Sequence, residues 1–406
     1  MKPHIAPLVG GIVILASVLL WVIYMQTAIT PLSGEWKKMF KAPAEELTAY
    51  AREHPLRLRN KKIQDEDISE STFVGAEFTN VVWDDVVAQD GRFVDATFSG
   101  GSMHDTSFAF SELKNVTFKQ VTFAKSGFSK SKMTNVVFED CQMDETAFVG
   151  AELINVTFRN CKIYNSEIRN LINSKVLVEN SEIFDTNFFD SQVAMIFRNV
   201  KVERKAYMTD LAEGSTVLIE DSHIGPYSDF SRSRLLSFVI RNTTIDNSRA
   251  NGITAKKVIL DNVVSDFAIA DSTIGVAEIS NLSGVFSFGE SRIKTVSVEG
   301  CQNGSKVYLH MTKADDVKIR KCNAAKLVLD SAVVNNLWIS YSNVEWMVLK
   351  SLKAGALKLH QVAIASKLFA SNAVAENVLQ ADWTRLPNVA IEAEGSNLPL
   401  PTQQPQ

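Results

Sequence analysis

From Ile63 to Val193, every fifth residue is Ile, Phe, Trp, Met, Leu or Val at 25 of 27 positions, and only Ala88 and Asn173 break the run. A helix repeats near 3.6 residues and a strand at 2, so neither produces this beat. Two residues ahead of most centres stands a small or β-branched residue, as in Ala76, Val81, Ala96, Val116, Val121, Ser126, Ser131, Val136 and Cys141. A fixed self-similar period marks a solenoid, in which one coil cannot bury its own apolar face and must stack on its neighbours.

The beat of five nests inside one of twenty. Phe78, Phe98, Phe118, Phe138 and Phe158 form one column, Phe108, Phe128 and Phe148 a second, and Val116, Val136, Val156 and Val176 a third of the smaller inward type. Four pentads then make one four-sided coil, with successive coils about 4.8 Å apart at strand spacing. The outward residues Arg92, Glu112, Lys132 and Glu152 alternate in sign at the same step, which places opposite charges beside one another across the stack.

These residues resemble the pentapeptide-repeat family, whose usual unit is Ala, then Asp or Asn, then Leu, then two variable residues. Ala76-Glu77-Phe78, Ala96-Thr97-Phe98 and Ala151-Glu152-Leu153 follow the pattern, with Glu or Thr in place of Asp or Asn. The resemblance covers residues 61–195 and implies the family's right-handed, four-sided β-helix. Beyond Val193 the pentad blurs, yet an apolar, outward, apolar triplet returns every 19 to 22 residues, ending at Val178, Phe197, Ile219, Ile240, Leu260, Ile279, Val298, Ile319, Ile339 and Leu359. From Leu309 a half-coil beat of ten also runs through Leu329, Leu349 and Phe369. A chain of 406 residues would ordinarily make two or three domains. The repeat instead predicts an all-β chain whose main body is a single right-handed quadrilateral β-solenoid over residues 61–392.

Ahead of the repeat, the seventeen residues from Leu8 to Tyr24 contain one Ser and no charge. Extended to Ile29, this run is long enough to span a bilayer. No small-x-small cleavage site follows it, so residues 1–30 are expected to be a retained transmembrane anchor. Residues 31–60 then form a juxtamembrane linker whose short helix, opening at Pro43 with Glu45 and Glu46 and closing before Pro55, covers the first coil. Residues 393–406, with Pro399, Pro401 and Pro405 among Gln, read as a disordered tail. Lys37, Lys38 and Lys41 beyond the anchor would by the positive-inside rule alone keep the solenoid cytoplasmic. The one-Lys tail before the apolar run is, however, how an exporting signal anchor begins. The expectation is a single-pass bacterial inner-membrane protein with its solenoid on the periplasmic side.

Cys141, Cys161, Cys301 and Cys322 fall in one inward column. A disulfide between adjacent coils lies within Cα reach, but parallel inward side chains make it awkward, so the four are read as small core hydrophobes. No Cys-x-x-Cys spacing occurs, and no cofactor or metal is expected. Asp65, Asp85 and Asp105 share a corner column that has the oxygen chemistry for Ca²⁺ and is read as solvated corner residues. There is no Gly-rich phosphate loop, His-Glu-x-x-His or nucleophile elbow, and coil lengths hold at 19 to 22, leaving no long loops to wall a catalytic groove.

Two outward columns are apolar where a solvated face would be polar. One holds Leu177, Ile196, Leu218, Val239 and Ile259, and the other holds Tyr308, Val328, Val348 and Leu368. The first column carries Thr97, Thr117, Thr157, Glu278, Ser297 and Lys318 elsewhere, so its apolar interval is local. Contiguous apolar area of this kind marks a contact surface. The functional expectation is a membrane-tethered, non-enzymatic scaffold whose lateral β-face binds a protein partner or a second copy. Some members of the family mimic duplex DNA and bind topoisomerase, which makes a DNA-mimic regulator the alternative. Residues 63–406 carry 33 basic and 42 acidic side chains, a thin excess without a DNA-sized acidic stripe, and no nucleic-acid partner is expected. A β-helix acting on polysaccharide is the third reading.

Overall fold

The computed structural model describes residues 30–31 and 55–403. They fall in two compact units, Met1–Ala151 and Glu152–Gln406, and each is a right-handed parallel β-solenoid. No helix occurs among the described residues, and none there is long and apolar enough to cross a membrane. The expected transmembrane segment over residues 8–29 and the short helix after Pro43 lie outside the described residues. Thr30–Pro31 pairs in parallel with Lys61 and Lys62.

In the first unit the coil has four corners. Residues with positive φ recur every fifth position, as at Asn60, Asp65, Glu70, Gly75, Asn80, Asp85, Asp90 and Asp95. Asn, Asp and Gly enter this left-handed region at least cost, which explains their enrichment just before each small inward residue. Asp65, Asp85 and Asp105 are therefore backbone corners, with φ of 52°, 52° and 45°. Amide ladders tie successive corners together, Asn115 donating to Asp95 at 2.9 Å and Asn135 to Asn115 at 3.1 Å.

Inside, the pentad centres stack in register. Phe78 pairs with Phe98, Phe98 with Phe118, and Phe118 with Phe138, their rings stacked nearly parallel with centroids 4.6, 4.6 and 4.9 Å apart. Phe108, Phe128 and Phe148 make a second ladder at 5.0 and 5.1 Å. Edge-to-face contacts at 5.9 Å join the two ladders through Phe118 and Phe128, the aromatic geometry that adds to simple burial. Outside, Arg92 and Glu112 form the expected cross-coil ion pair at 3.4 Å.

The small inward positions have a polar task where they are Ser or Thr. Ser111 donates its hydroxyl to the Ala88 carbonyl at 2.7 Å and accepts from the Gly91 amide at 3.1 Å, one coil away. In the second unit the Ser181 hydroxyl accepts from the Cys161 amide at 2.9 Å and the Ser191 hydroxyl from the Leu171 amide at 3.0 Å. These bonds satisfy backbone groups that the corners take out of the β-ladder.

The second unit begins with the same pentads and then changes its corners. Asn173, one of the two breaks in the beat, is a left-handed corner with φ 48°, and Ser174 beside it is buried. From Asn262 to Asn372 positive φ recurs only about every tenth residue. The strands lengthen accordingly, to 16 residues in Val333–Val348 and 17 in Lys353–Phe369. With half of the corners no longer demanding a left-handed residue, the pentad fades from the sequence while the twenty-residue coil persists.

The tail expected to be disordered from residue 393 is in fact docked as far as Gln403. Asn397 accepts from the Ala375 amide at 2.9 Å and donates to its carbonyl at 2.8 Å. Leu398 is buried, and Thr402 pairs with Thr384. This covers backbone edge that a solenoid end otherwise exposes.

Candidate interaction surface

The first apolar column is a continuous ladder. Leu177 pairs with Ile196, Ile196 with Leu218, Leu218 with Val239, and Val239 with Ile259. Each is half-buried, while the residues on either side along every strand, such as Val217 and Ile219, are fully buried. The row therefore faces outward in strict register, since a one-residue slip would have turned it inward. It is about 19 Å long at strand spacing.

Beside it runs a charged column that is internally satisfied. Arg159 meets Glu179 at 2.6 Å, Arg198 meets Glu220 at 3.2 Å, and Arg241 meets Glu220 at 3.3 Å. Further along the apolar column, after Glu278, Ser297 and Lys318, stands Trp338, 41% exposed, with Lys318 Nζ 4.9 Å from its ring centre. The sequence reading passed over Trp338 because polar residues separate it from the apolar interval.

The second column needs one correction. Tyr308 pairs with Val328 and Val328 with Val348 as expected, but Val348 pairs with Phe369. Leu368 pairs with Met347, points inward and has no exposed surface. A register shift between Val344 and Trp346 inserts one extra residue in the later strand, and a bulge of that kind exchanges the two faces beyond it. Val328 is itself only 7% exposed. What this face presents is aromatic and cationic: Lys326 lies 5.6 Å from the Tyr308 ring centre and 5.7 Å from that of Trp346, and Lys367 lies 4.6 Å from Trp346.

The cysteines also depart from expectation. Cys301 and Cys322 form a disulfide between adjacent coils, with Cα atoms 4.3 Å apart. Cys141 and Cys161 are buried thiols whose Sγ atoms approach the carbonyls of Glu139 and Arg159, both at 3.3 Å.

The lateral faces are not all flat, contrary to the expectation from constant coil length. A groove of about 720 Å³ runs from Glu213 to Asn335. Its only carboxylates, Glu213 and Asp315, lie five coils apart. That is roughly 24 Å at strand spacing, whereas a glycosidase pair sits within about 5–9.5 Å. Among the described residues no group of three or more His, Cys, Asp or Glu has metal-binding proximity.

Residues 111–188 match the family model described as a pentapeptide repeat region. No curated protein matches the chain in sequence. Among solved structures it is similar to HetL, a pentapeptide repeat protein involved in heterocyst differentiation regulation from the cyanobacterium Nostoc sp. strain PCC 7120. The identity is 8%, over 60% of this chain and 92% of that one, with a TM-score of 0.32. It is similar to QnrB1, a plasmid-mediated fluoroquinolone resistance protein, at 14% identity over 48% of this chain and 83% of that one, with a TM-score of 0.25. The A-module of the mannuronan C-5 epimerase AlgE4 from Azotobacter vinelandii aligns at 11% identity over 92% of this chain and 99% of that one, with a TM-score of 0.19. Residues 111–188, within the stretch that carries the beat of five, belong to the pentapeptide-repeat family.

Proposed function

We propose that the chain is a non-enzymatic interaction scaffold, tethered to a membrane by residues 8–29, that docks a protein partner or a second copy of itself along Leu177, Ile196, Leu218, Val239 and Ile259. The observation that carries this reading is the row itself: five aliphatic side chains in register on an outward column, with their flanking residues buried behind them. Full burial of each would contribute about 1.5–3 kcal/mol before association costs are subtracted. The uncharged run from Leu8 to Tyr24 supports the tether. The Cys301–Cys322 disulfide supports the periplasmic side, because reducing cytosol disfavours such bonds. Against DNA mimicry, Glu179 and Glu220 beside the row are neutralised by Arg159, Arg198 and Arg241 instead of forming an acidic stripe.

The test is Leu218→Lys combined with Val239→Lys, read by pull-down from membranes and by sedimentation. The double variant is expected to fold and to lose its partner or its self-association. A folded double variant that keeps every partner and its oligomeric state would remove the proposal.

A further inference from the structure

We propose that the groove between Glu213 and Asn335 binds an extended acidic peptide segment of a partner protein, on residues separate from the apolar row. Two columns wall it. One is Arg234, Thr254, Thr273, Arg292 and Lys313, in continuous register. The other lies two residues further along each strand and contains Lys256, Gly275 and Lys294. Between them run the strand segments of Leu235, Ala255, Ile274, Ile293 and Ala314, whose side chains are buried in the core, while the exposed apolar side chains of the lining are Leu236 and Val333.

Five cations, Arg234, Lys256, Arg292, Lys294 and Lys313, line this one groove, all exposed. None has an ion-pair partner among the described residues. Elsewhere in the same unit the cross-coil pattern is pairing, as for Lys257 with Glu278 at 3.0 Å and Lys321 with Glu299 at 3.4 Å. Of the two carboxylates in the lining, Asp315 accepts a hydrogen bond from Asn335 at 3.1 Å, and neither it nor Glu213 forms an ion pair with these cations among the described residues. Clustered like charge above a buried, low-dielectric interior repels itself and concentrates anions.

Gly275 keeps the middle of the groove open. A Cβ there would lie 2.5 Å from the Lys256 carbonyl oxygen, closer than real atoms approach, so no side chain fits. The groove crosses the strands over six coil steps, and its length of roughly 29 Å accommodates about eight extended residues. Such a segment places alternate side chains on opposite faces, so one set packs against Leu236, Val333 and the strand surface between the rims while carboxylates reach the cations. The lining contains no aromatic residue, and single-stranded nucleic acid is held by stacking on aromatic platforms. An acidic polypeptide with aliphatic residues satisfies both the charge and the exposed Leu236 and Val333.

The experiment uses the full chain in detergent and fluorescence anisotropy with three probes: a heptapeptide alternating Glu and Val, its Lys-for-Glu counterpart, and oligothymidylate of matched charge. The acidic peptide is expected to bind, more weakly as salt rises. Arg292→Glu with Lys294→Glu should weaken it about tenfold or more, and Arg234→Ala with Lys256→Ala should weaken it as well. The Lys peptide should not bind. Absence of acidic-peptide binding, equal or tighter binding of oligothymidylate, or affinity unchanged in both double variants would each overturn the assignment. Because none of these residues lies in the Leu177–Ile259 row, failure here leaves the scaffold proposal standing, and the reverse holds too.

Discussion

Cys301 and Cys322 bond one coil of the second unit to the next, closing a loop of 21 residues between two buried side chains. In the chain-entropy model, such a cross-link stabilises a fold by about 3 kcal/mol through its effect on the unfolded state. Cys301→Ser with Cys322→Ser is therefore expected to lower unfolding free energy by about 2–4 kcal/mol. In the denatured wild type, alkylation should add two labels, at Cys141 and Cys161, and four after reduction. Four labels without reduction would contradict the bond.

The Phe ladder predicts a graded response at Phe118, which touches Phe98 and Phe138 at 4.6 and 4.9 Å. Phe118→Ala should cost about 3–5 kcal/mol through the cavity it leaves. Phe118→Asp should prevent folding, because it would bury an unpaired charge. A soluble, protease-resistant Phe118→Asp protein would contradict the assigned interior.

Asp229 is a buried carboxylate. Burial pushes its pKa up, but hydrogen bonds from Ser231 and from Arg249, the latter at 3.0 and 2.8 Å, outweigh that and hold it below the usual carboxylate range. A depressed native pKa contributes stability that is complete above the unfolded value, near 3.9, and is lost as pH falls through the lower native one. Asp229→Asn should thus cost about 1–3 kcal/mol at neutral pH. The cost should shrink below about pH 4. Equal destabilisation of the variant at neutral and at strongly acidic pH, measured by denaturant titration, would count against this role.

The register beyond Trp346 gives a sharper contrast. Leu368 is inward and Phe369 is outward beside Val348. Leu368→Lys should unfold the carboxyl-terminal coils, while Phe369→Lys should leave thermal stability within a few degrees of the wild type. The opposite ranking in a melting experiment would restore the simpler spacing.

What the sequence discloses of this fold depends on how many corners demand a special residue. Through Asp190, left-handed corners recur at or near every fifth position and most are Asn, Asp or Gly, with Phe110, Lys125 and Lys130 among the exceptions, so core, coil and outward columns can all be read. The row Leu177 to Ile259 was legible because it sits in the coil column that keeps its register. The position of Leu368 is not legible because Leu368 and Phe369 are both apolar, so the extra residue between Ile364 and Lys367 leaves the apolar pattern almost unchanged. The basic groove is hidden because its cations come from different coils, and only the folded register brings Arg234, Lys256 and Lys313 into line with Arg292 and Lys294. Ideal parallel side chains make the disulfide awkward, yet the coils place the two Cα atoms within bonding range.

The most direct measurement of the central claim is photo-cross-linking in native membranes from a benzophenone amino acid at position 218, with position 297 of the same outward column as the control. The account predicts an adduct to a partner, or to a second copy, from Leu218 in the middle of the apolar row and none from Ser297, where the column is polar. No adduct from position 218 above that of position 297 would contradict the claim that this row is a contact surface.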